Sequence, residues 1–298
     1  MDENAWLAER FEAHRAHLHA VAYRMLGSLT DAEDAVQDTW LRFSASKASD
    51  VENLGGWLTT IVSRVCLNML RSRNVRREDS LEVHLPDPVI SREADLQPEG
   101  EAVLADSVGL ALLVVLDTLK PAERLSFVLH DMFGLPFEDI APMVGRNPTA
   151  ARQLASRARR RVKGADLQSP EPDLARQREV VDAFFRAARA GDFDGLVAVL
   201  HPDAVLRSDE GAKRRPAPPV IRGAETIARR ALTYADPRAN LVPAVVNGAA
   251  GVVVTIDGRP YAVLGFIVAD GRIVEIDAIA DPERIDRITA PVLATEGH

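Results

Sequence analysis

From Leu7 to Arg73 apolar residues recur with helical spacing, and no stretch keeps the period of two that a half-buried strand needs. The first helix, predicted over Phe11 to Leu26, stops at Gly27, a residue suited to the left-handed conformation just past a helix end. Thr30 or Asp31 is the expected cap of the next helix, Ala32 to Phe43. There Val36, Trp40 and Phe43 form a core-facing stripe, and Asp34, Gln37, Asp38 and Leu41 form a second line at i, i+3, i+4, i+7. Solvation explains that second line, and so does a partner's basic helix; the residues alone leave both readings open. After a loop from Ser44 to Gly56, a helix over Trp57 to Arg71 turns Leu58, Ile61, Val62, Val65 and Met69 inward. Thr60, Arg64, Asn68 and Arg71 lie along another of its faces, where arginines and short hydrogen-bonding side chains suit a phosphate backbone and exposed base edges.

Residues 77–100 are acidic, rich in proline and without sustained periodicity, as expected of a tether between modules. Helical spacing resumes from Val103 to Val162. At its centre a helix from Pro136 reaches Gly145, and a second runs from Thr149 to Lys163, with Asn147 placed to cap it and Pro148 in its first turn. Helix, glycine turn, helix is the helix-turn-helix pattern, whose second helix enters the major groove with its N-terminal residues on base edges. Arg152, Gln153, Ser156 and Arg157 project from that end, and Arg and Gln are the side chains that read guanine and adenine. A plain helical hairpin is the structural alternative.

Past Gly164 the pattern changes. A joint over 164–172 precedes an amphipathic helix, Asp173 to Ala190, with Val181, Phe184, Phe185 and Ala188 inward. Strands are then predicted at Ala204–Arg207, Leu241–Asn247, Gly251–Ile256, Tyr261–Val268 and Ile273–Ile279, with Asp257-Gly258 and Asp270-Gly271 as hairpin turns. Helices on an antiparallel sheet make this part α+β.

Composition narrows the function classes. The 298 residues are 47% hydrophobic and 27% charged, a globular balance, and the longest apolar run, Val108 to Leu116, is far short of the roughly 20 residues that span a bilayer. One cysteine and no signal-peptide pattern point to a reducing, cytoplasmic setting. The net charge of −8 argues against nucleic acid until it is mapped. Residues 57–77 carry five arginines and no acid; residues 146–163 carry six arginines and one lysine, again without an acid. Two concentrated cationic stretches on an acidic chain fit a polyanion gripped at two points. His14, His17 and His19 lack acidic or cysteine companions at metal-ligand spacing, so no metal, cofactor or catalytic group is expected from them.

Three segments carry a resemblance. Ala32-Glu-Asp-Ala-Val-Gln-Asp-Thr-Trp-Leu-Arg42, Gly56-Trp-Leu-Thr-Thr-Ile-Val-Ser-Arg64 and the helix-turn-helix ending Ser156-Arg-Ala-Arg-Arg-Arg-Val162 resemble the extracytoplasmic-function (group IV) sigma factors of bacteria. The last part is similar to the SnoaL-like branch of the NTF2-like fold, which such sigma factors carry in the SigJ-type group. The resemblance implies a multidomain chain: a sigma-2-like domain at 7–76, an acidic, proline-rich linker at 77–102, a sigma-4-like helix-turn-helix domain at 103–163, a joint at 164–172, an α+β NTF2-like domain at 173–290 and a tail at 291–298.

It further implies that Asp34, Gln37, Asp38 and Leu41 dock on the clamp helices of core RNA polymerase. Thr60, Arg64, Asn68 and Arg71 then engage the minus-ten element, and Arg152, Gln153, Ser156, Arg157 and Arg160 the minus-thirty-five element. Two short segments, Asp209-Glu-Gly-Ala-Lys213 and Asp281-Pro-Glu-Arg-Ile285, resemble signatures of the appended domain. Asp209, Lys213, Asp281, Pro282 and Arg284 are therefore candidates for a regulatory contact, with Lys213 and Arg284 expected to meet acidic surface on the sigma domains or their tether. An apolar pocket is expected within the sheet, and a small-molecule ligand for it stays open.

The alternative is a DNA-binding regulator whose SnoaL-like domain binds a small molecule or catalyses a cyclase- or isomerase-like reaction. His201, Asp203, Asp209, Tyr261 and Asp277 are the candidates for such proton transfer, and no spacing puts a base beside an acid among them.

Overall fold

The computed structural model describes residues 3–46, 53–77, 85–93, 109–165, 171–211 and 220–293. The chain forms two compact units, one of residues 1–80 with 111–167 and one of residues 81–110 with 168–298.

In the first unit, α1 (Glu3–Leu26), α2 (Leu29–Ser44) and α3 (Leu54–Arg77) pack on one another. Leu18, Val21, Met25, Val36, Phe43, Leu58 and Val62 close their shared core; each such side chain contributes about 1.5–3 kcal/mol on burial. Phe11 links the helices as an aromatic hub, edge-on to Trp40 at 5.2 Å and stacked on Phe43 at 6.1 Å. The cap of α2 is Ser28, whose hydroxyl accepts from the Asp31 N–H at 3.3 Å, in place of the expected Thr30 or Asp31. Leu29 and Thr30 already have helical geometry, so the capping position falls one residue before them.

The same unit holds α4 (Leu110–Asp117), α5 (Pro121–Phe127) continuing as a π turn over Val128–Met132, α6 (Phe137–Val144) and α7 (Pro148–Gly164). Between α6 and α7, Gly145 takes φ +67°, a conformation that any larger side chain would strain. The Asn147 side chain accepts from the Ala150 N–H at 2.8 Å, worth about 1 kcal/mol, and Pro148 occupies the first turn. Arg124 of α5 is 1% exposed: its Nε and Nη2 donate to the Arg24 carbonyl near the C-terminal end of α1, at 3.2 Å each, and its Nη1 to Asp117 at 3.1 Å. Phe133 sits edge-on to His17 and under the Arg24 guanidinium.

Among the described residues the second unit is a seven-stranded sheet with helices. Its elements are β1 (Ile90–Ser91), α8 (Leu174–Ala190), α9 (Phe193–Val199), β2 (Leu200–Asp209), β3 (Val220–Arg222), α10 (Ala224–Thr233), β4 (Ala239–Val246), β5 (Ala249–Ile256), β6 (Arg259–Ala269), β7 (Arg272–Ile279) and α11 (Ile285–Leu293). The strand order is β1-β4-β5-β6-β7-β2-β3. The five predicted strands are present, but the sheet is mixed, because β2 runs parallel to β7. Strand β3 and helix α10 stand between β2 and β4 in the chain order rather than a tight turn, so β2 is free to lie beside β7 in the parallel sense. Hairpins at Asp257-Gly258 and Asp270-Gly271 are joined by a third at Asn247-Gly248, all with positive φ. At Gly251 a Cβ would meet Val246 at 2.3 Å and the Leu264 carbonyl at 2.8 Å, so strand packing there requires glycine.

Val181, Phe184, Leu196, Ile227, Val252, Phe266 and Ile276 form the core between α8, α9, α10 and one face of the sheet. Helix α11 packs on β6 and β1.

Candidate functional site

On α2 the polymerase-facing candidates fall on one side. Asp34, Gln37, Asp38 and Leu41 are all exposed, and Leu41 is 62% exposed although the opposite side of the helix is shut into the core. An exposed leucine among carboxylates, on the side of the helix away from its buried face, is spare surface as far as folding is concerned.

On α3, Arg64, Asn68 and Arg71 are exposed, and Thr60 is half-buried with its hydroxyl donating to the Gly56 carbonyl at 3.0 Å. Residues 47–52, within the predicted loop from Ser44 to Gly56, lie outside the described residues.

Arg152, Gln153, Ser156, Arg157 and Arg160 are all exposed on α7, while Ala151, Ala155 and Ala158 seat the helix on its core. The small alanines allow close approach of the helices and leave the long cations outward. No spacing rule singles out Glu123, which governs two of the cations: it is 4% exposed, accepts from Arg161 at 3.0 Å and lies 3.7 Å from Arg157. Arg159 pairs with Asp131 at 2.5 Å, and Arg152 lies over the Phe137 ring at 5.4 Å. Arg152 therefore leans on α6, and Arg157 is held by a carboxylate that DNA phosphate would have to replace.

In the second unit, residues 85–93 of the stretch expected as linker are seated on the sheet. Pro86 and Pro88 favour extended backbone, and Ile90–Ser91 add a strand to the edge of β4. Val89 and Asn247 exchange two hydrogen bonds, each 2.8 Å, and Arg92 donates to the Val292 carbonyl at 2.8 Å. At the other end Arg284, 7% exposed, donates to Asp209 at 2.6 Å, to Asp87 at 2.7 and 2.9 Å and to the Leu85 carbonyl at 2.7 Å, and the Asp209 carboxylate accepts the Leu85 N–H at 2.9 Å. The two signature-like segments thus meet here through Asp209 and Arg284. Asp281 accepts the Glu283 N–H at 2.9 Å and so shapes the turn through Pro282 that presents Arg284. Lys213 lies outside the described residues.

A second ion cluster is built on β2 and β7, where Arg207 and Asp277 are register partners. Arg207 pairs with Glu275 and, at 3.2 Å, with Asp277. Burial and the neighbouring Glu275 charge push the Asp277 carboxyl up to about 7, against the pull of Arg207. Between the ordinary carboxylate range and about 7 the folded chain therefore keeps a proton that the unfolded chain has released, so stability falls as pH rises through that window and levels off above it. For one proton the slope is about 1.4 kcal/mol per pH unit. Urea midpoints measured from pH 5 to 8 are expected to lose that component in Asp277→Asn; an unchanged slope would show that the pair does not hold the proton.

Ile276 and Ala278 flank Asp277 and line a cavity of about 180 Å³ between the sheet and α8 and α10, so Asp277 points to the opposite face. Of the five residues considered for proton transfer, Tyr261 lines the cavity, His201 and Asp203 are exposed, and Asp209 and Asp277 belong to the ion clusters. Among the described residues no cluster of metal-ligating side chains occurs, and no helix is long and apolar enough to cross a membrane.

Residues 10–76 match the family model for sigma-70 region 2, and residues 109–162 that for sigma-70 region 4. The chain is 39% identical to the ECF RNA polymerase sigma factor SigJ of Mycobacterium tuberculosis, over 92% of this chain and 91% of that one. It belongs to the extracytoplasmic-function sigma factors. A probable sigma factor of the same organism, SigI, is 34% identical over 97% of this sigma factor and 98% of its own length. The crystal structure of Mycobacterium tuberculosis SigJ superposes with a TM-score of 0.73 at 35% identity, covering 93% of this chain and 97% of that one. The α+β unit is thus part of the architecture shared across nearly the whole length with these sigma factors, and the two helical domains are their sigma regions 2 and 4.

Proposed function

We propose that this sigma factor binds core RNA polymerase through Asp34, Gln37, Asp38 and Leu41, contacts the minus-ten element through Thr60, Arg64, Asn68 and Arg71, and binds the minus-thirty-five element through Arg152, Gln153, Ser156, Arg157 and Arg160. The observation that carries the reading is the face of α2, where Leu41 stands 62% exposed among carboxylates that the core does not use. Its work is binding and promoter opening in the cytoplasm, without covalent chemistry. The NTF2-like domain modulates it through the clasp on residues 85–93, because those residues join the two DNA-binding domains in the chain and are tied to that domain by Arg284 and Asp209. Run-off transcription with purified core enzyme over a library of promoters tests the whole reading. Initiation from a two-part promoter is expected, and no initiation from any member would refute it.

Arg152, Arg157 and Arg160 separate reading from anchoring. Arg152→Ala is expected to cost about 1–3 kcal/mol of promoter affinity and to relax preference at one upstream position. Arg157→Ala should cost less than Arg152→Ala, since Glu123 competes with DNA for Arg157. Arg160→Ala should weaken all sequences evenly and flatten the salt dependence. Equal behaviour of all three in binding to a base-substituted promoter series would make α7 an electrostatic anchor only.

A further inference from the structure

Helix α7 carries Arg152, Arg157, Arg159, Arg160, Arg161 and Lys163 and no acid, so its own residues cannot neutralise it. At 3.6 residues per turn, Arg159 and Arg161 fall on opposite flanks of the buried line of Ala151, Ala155 and Ala158, while Gln153 and Arg160 stand across the helix from it. Each flank is met by a carboxylate from the elements packed against α7: Arg159 by Asp131 of the π turn and Arg161 by Glu123 of α5. Arg157 lies one turn before Arg161 on the same line, 3.7 Å from Glu123. The two carboxylates differ in depth, the Asp131 side chain being 22% exposed and that of Glu123 only 5%. A carboxylate as buried as Glu123 is stable only while a cation stays on it. Among the described residues the cations paired with it are Arg161 and Arg157, so one of them can leave and both cannot. Arg161 donates a hydrogen bond to Glu123 at 3.0 Å, whereas Arg157 stands beyond hydrogen-bond reach, so Arg157 is the one that exchanges.

We propose that Glu123 is a specificity-determining residue for the minus-thirty-five element: it keeps Arg161 as a resident partner and gives up Arg157 only where a base contact rewards the exchange. The inference rests on the reading of α7 given above. A phosphate alone offers Arg157 one anion in place of another, and Glu123 is already desolvated and in position. A base edge adds a hydrogen-bonding pattern that Glu123 does not supply. DNA without the element therefore meets a helix whose Arg157 and Arg161 are both withheld, which keeps sequence-independent binding weak because that binding is electrostatic. The promoter meets the same helix with Arg157 released and Glu123 still paired with Arg161.

The test uses holoenzyme assembled from the full chain and core RNA polymerase, with a matched promoter duplex and one of equal length whose minus-thirty-five element is scrambled. Affinity is measured from about 50 to 200 mM salt, where each phosphate contact adds about 0.9 to the slope of log affinity against log salt. Glu123→Gln keeps the shape of the side chain and removes its charge. The slope is expected to steepen by about 1.8 on the scrambled duplex, where both arginines are freed, and by about 0.9 on the promoter, where Arg157 is already engaged. Discrimination between the duplexes then falls about 5-fold, through tighter scrambled binding that no loss of structure produces. Arg161→Met acts in the opposite direction. Glu123 now holds Arg157 back, so promoter affinity should fall about 5-fold with scrambled binding unchanged, and adding Glu123→Gln should restore it. A Glu123→Gln variant that discriminates as wild type does, or an Arg161→Met loss equal on both duplexes and not relieved by Glu123→Gln, would overturn the assignment. Wild-type holoenzyme that binds both duplexes alike would instead overturn the reading of α7 on which it rests. Should Glu123→Gln unfold region 4, Arg161→Met decides alone, by whether its loss is confined to the promoter.

Discussion

Reversing Asp34 and Asp38 to lysine is expected to abolish binding to core RNA polymerase and with it all run-off transcription, while the far-ultraviolet circular dichroism and the melting temperature stay close to wild type. Both carboxylates are exposed, so losing them removes nothing from the core; surface substitutions of this kind usually shift stability by less than about 0.5 kcal/mol. At a docked face the same change replaces two attractive charges by two repulsive ones, and like charges brought together in an interface cost several kcal/mol. Leu41→Ala in the same face should give a smaller loss that salt does not alter, since its contribution is apolar. A native fold that still binds core enzyme would remove α2 from the interface, and a double reversal that unfolds would show that the face serves the core after all.

Replacing Arg284 by methionine is expected to cost about 3–5 kcal/mol of stability in the NTF2-like domain, because Asp87 and Asp209 would remain buried without their shared cation. The more diagnostic reading is local. Amide protection at Leu85 and Val89 should fall toward that of a free segment, since the carboxylate of Asp209 and the guanidinium of Arg284 hold both backbone groups of Leu85. Adding Asp87→Asn to Arg284→Met should recover part of the stability, and the recovered amount measures the coupling. If the single variant unfolds the domain, Asp87→Asn alone still tests the clasp, with a smaller loss confined to the same amides. Full protection of residues 85–91 in both variants would mean that strand β1 and the Val89–Asn247 pair hold the segment unaided. On the proposed modulation, the clasp bears on initiation because its residues lie in the chain between sigma regions 2 and 4. A segment held on a third domain limits the separations those regions can take.

The element types and most of the candidate DNA and polymerase faces were legible in the sequence because they depend on local rules. Helical periodicity alone separates the line of Val36, Trp40 and Phe43, of which Val36 and Phe43 are buried and Trp40 half-buried, from the exposed line of Asp34, Gln37, Asp38 and Leu41. Asn147-Pro148 after a left-handed Gly145 determines the turn and the start of α7, and with it which side of that helix carries Arg152 and Arg157. Asp257-Gly258 and Asp270-Gly271 likewise determine two hairpins within a few residues. The tertiary structure decided what depends on pairs distant in sequence. Glu123 meets Arg157 and Arg161, Arg124 meets the end of α1, and β2 returns in parallel beside β7. Residues 85–93 carry no periodicity because their order comes from Asp209, Asn247 and Arg284, more than a hundred residues away. Periodicity reports the face a segment turns to its own neighbourhood; it holds no record of which buried charge, 197 residues along the chain, completes Asp87.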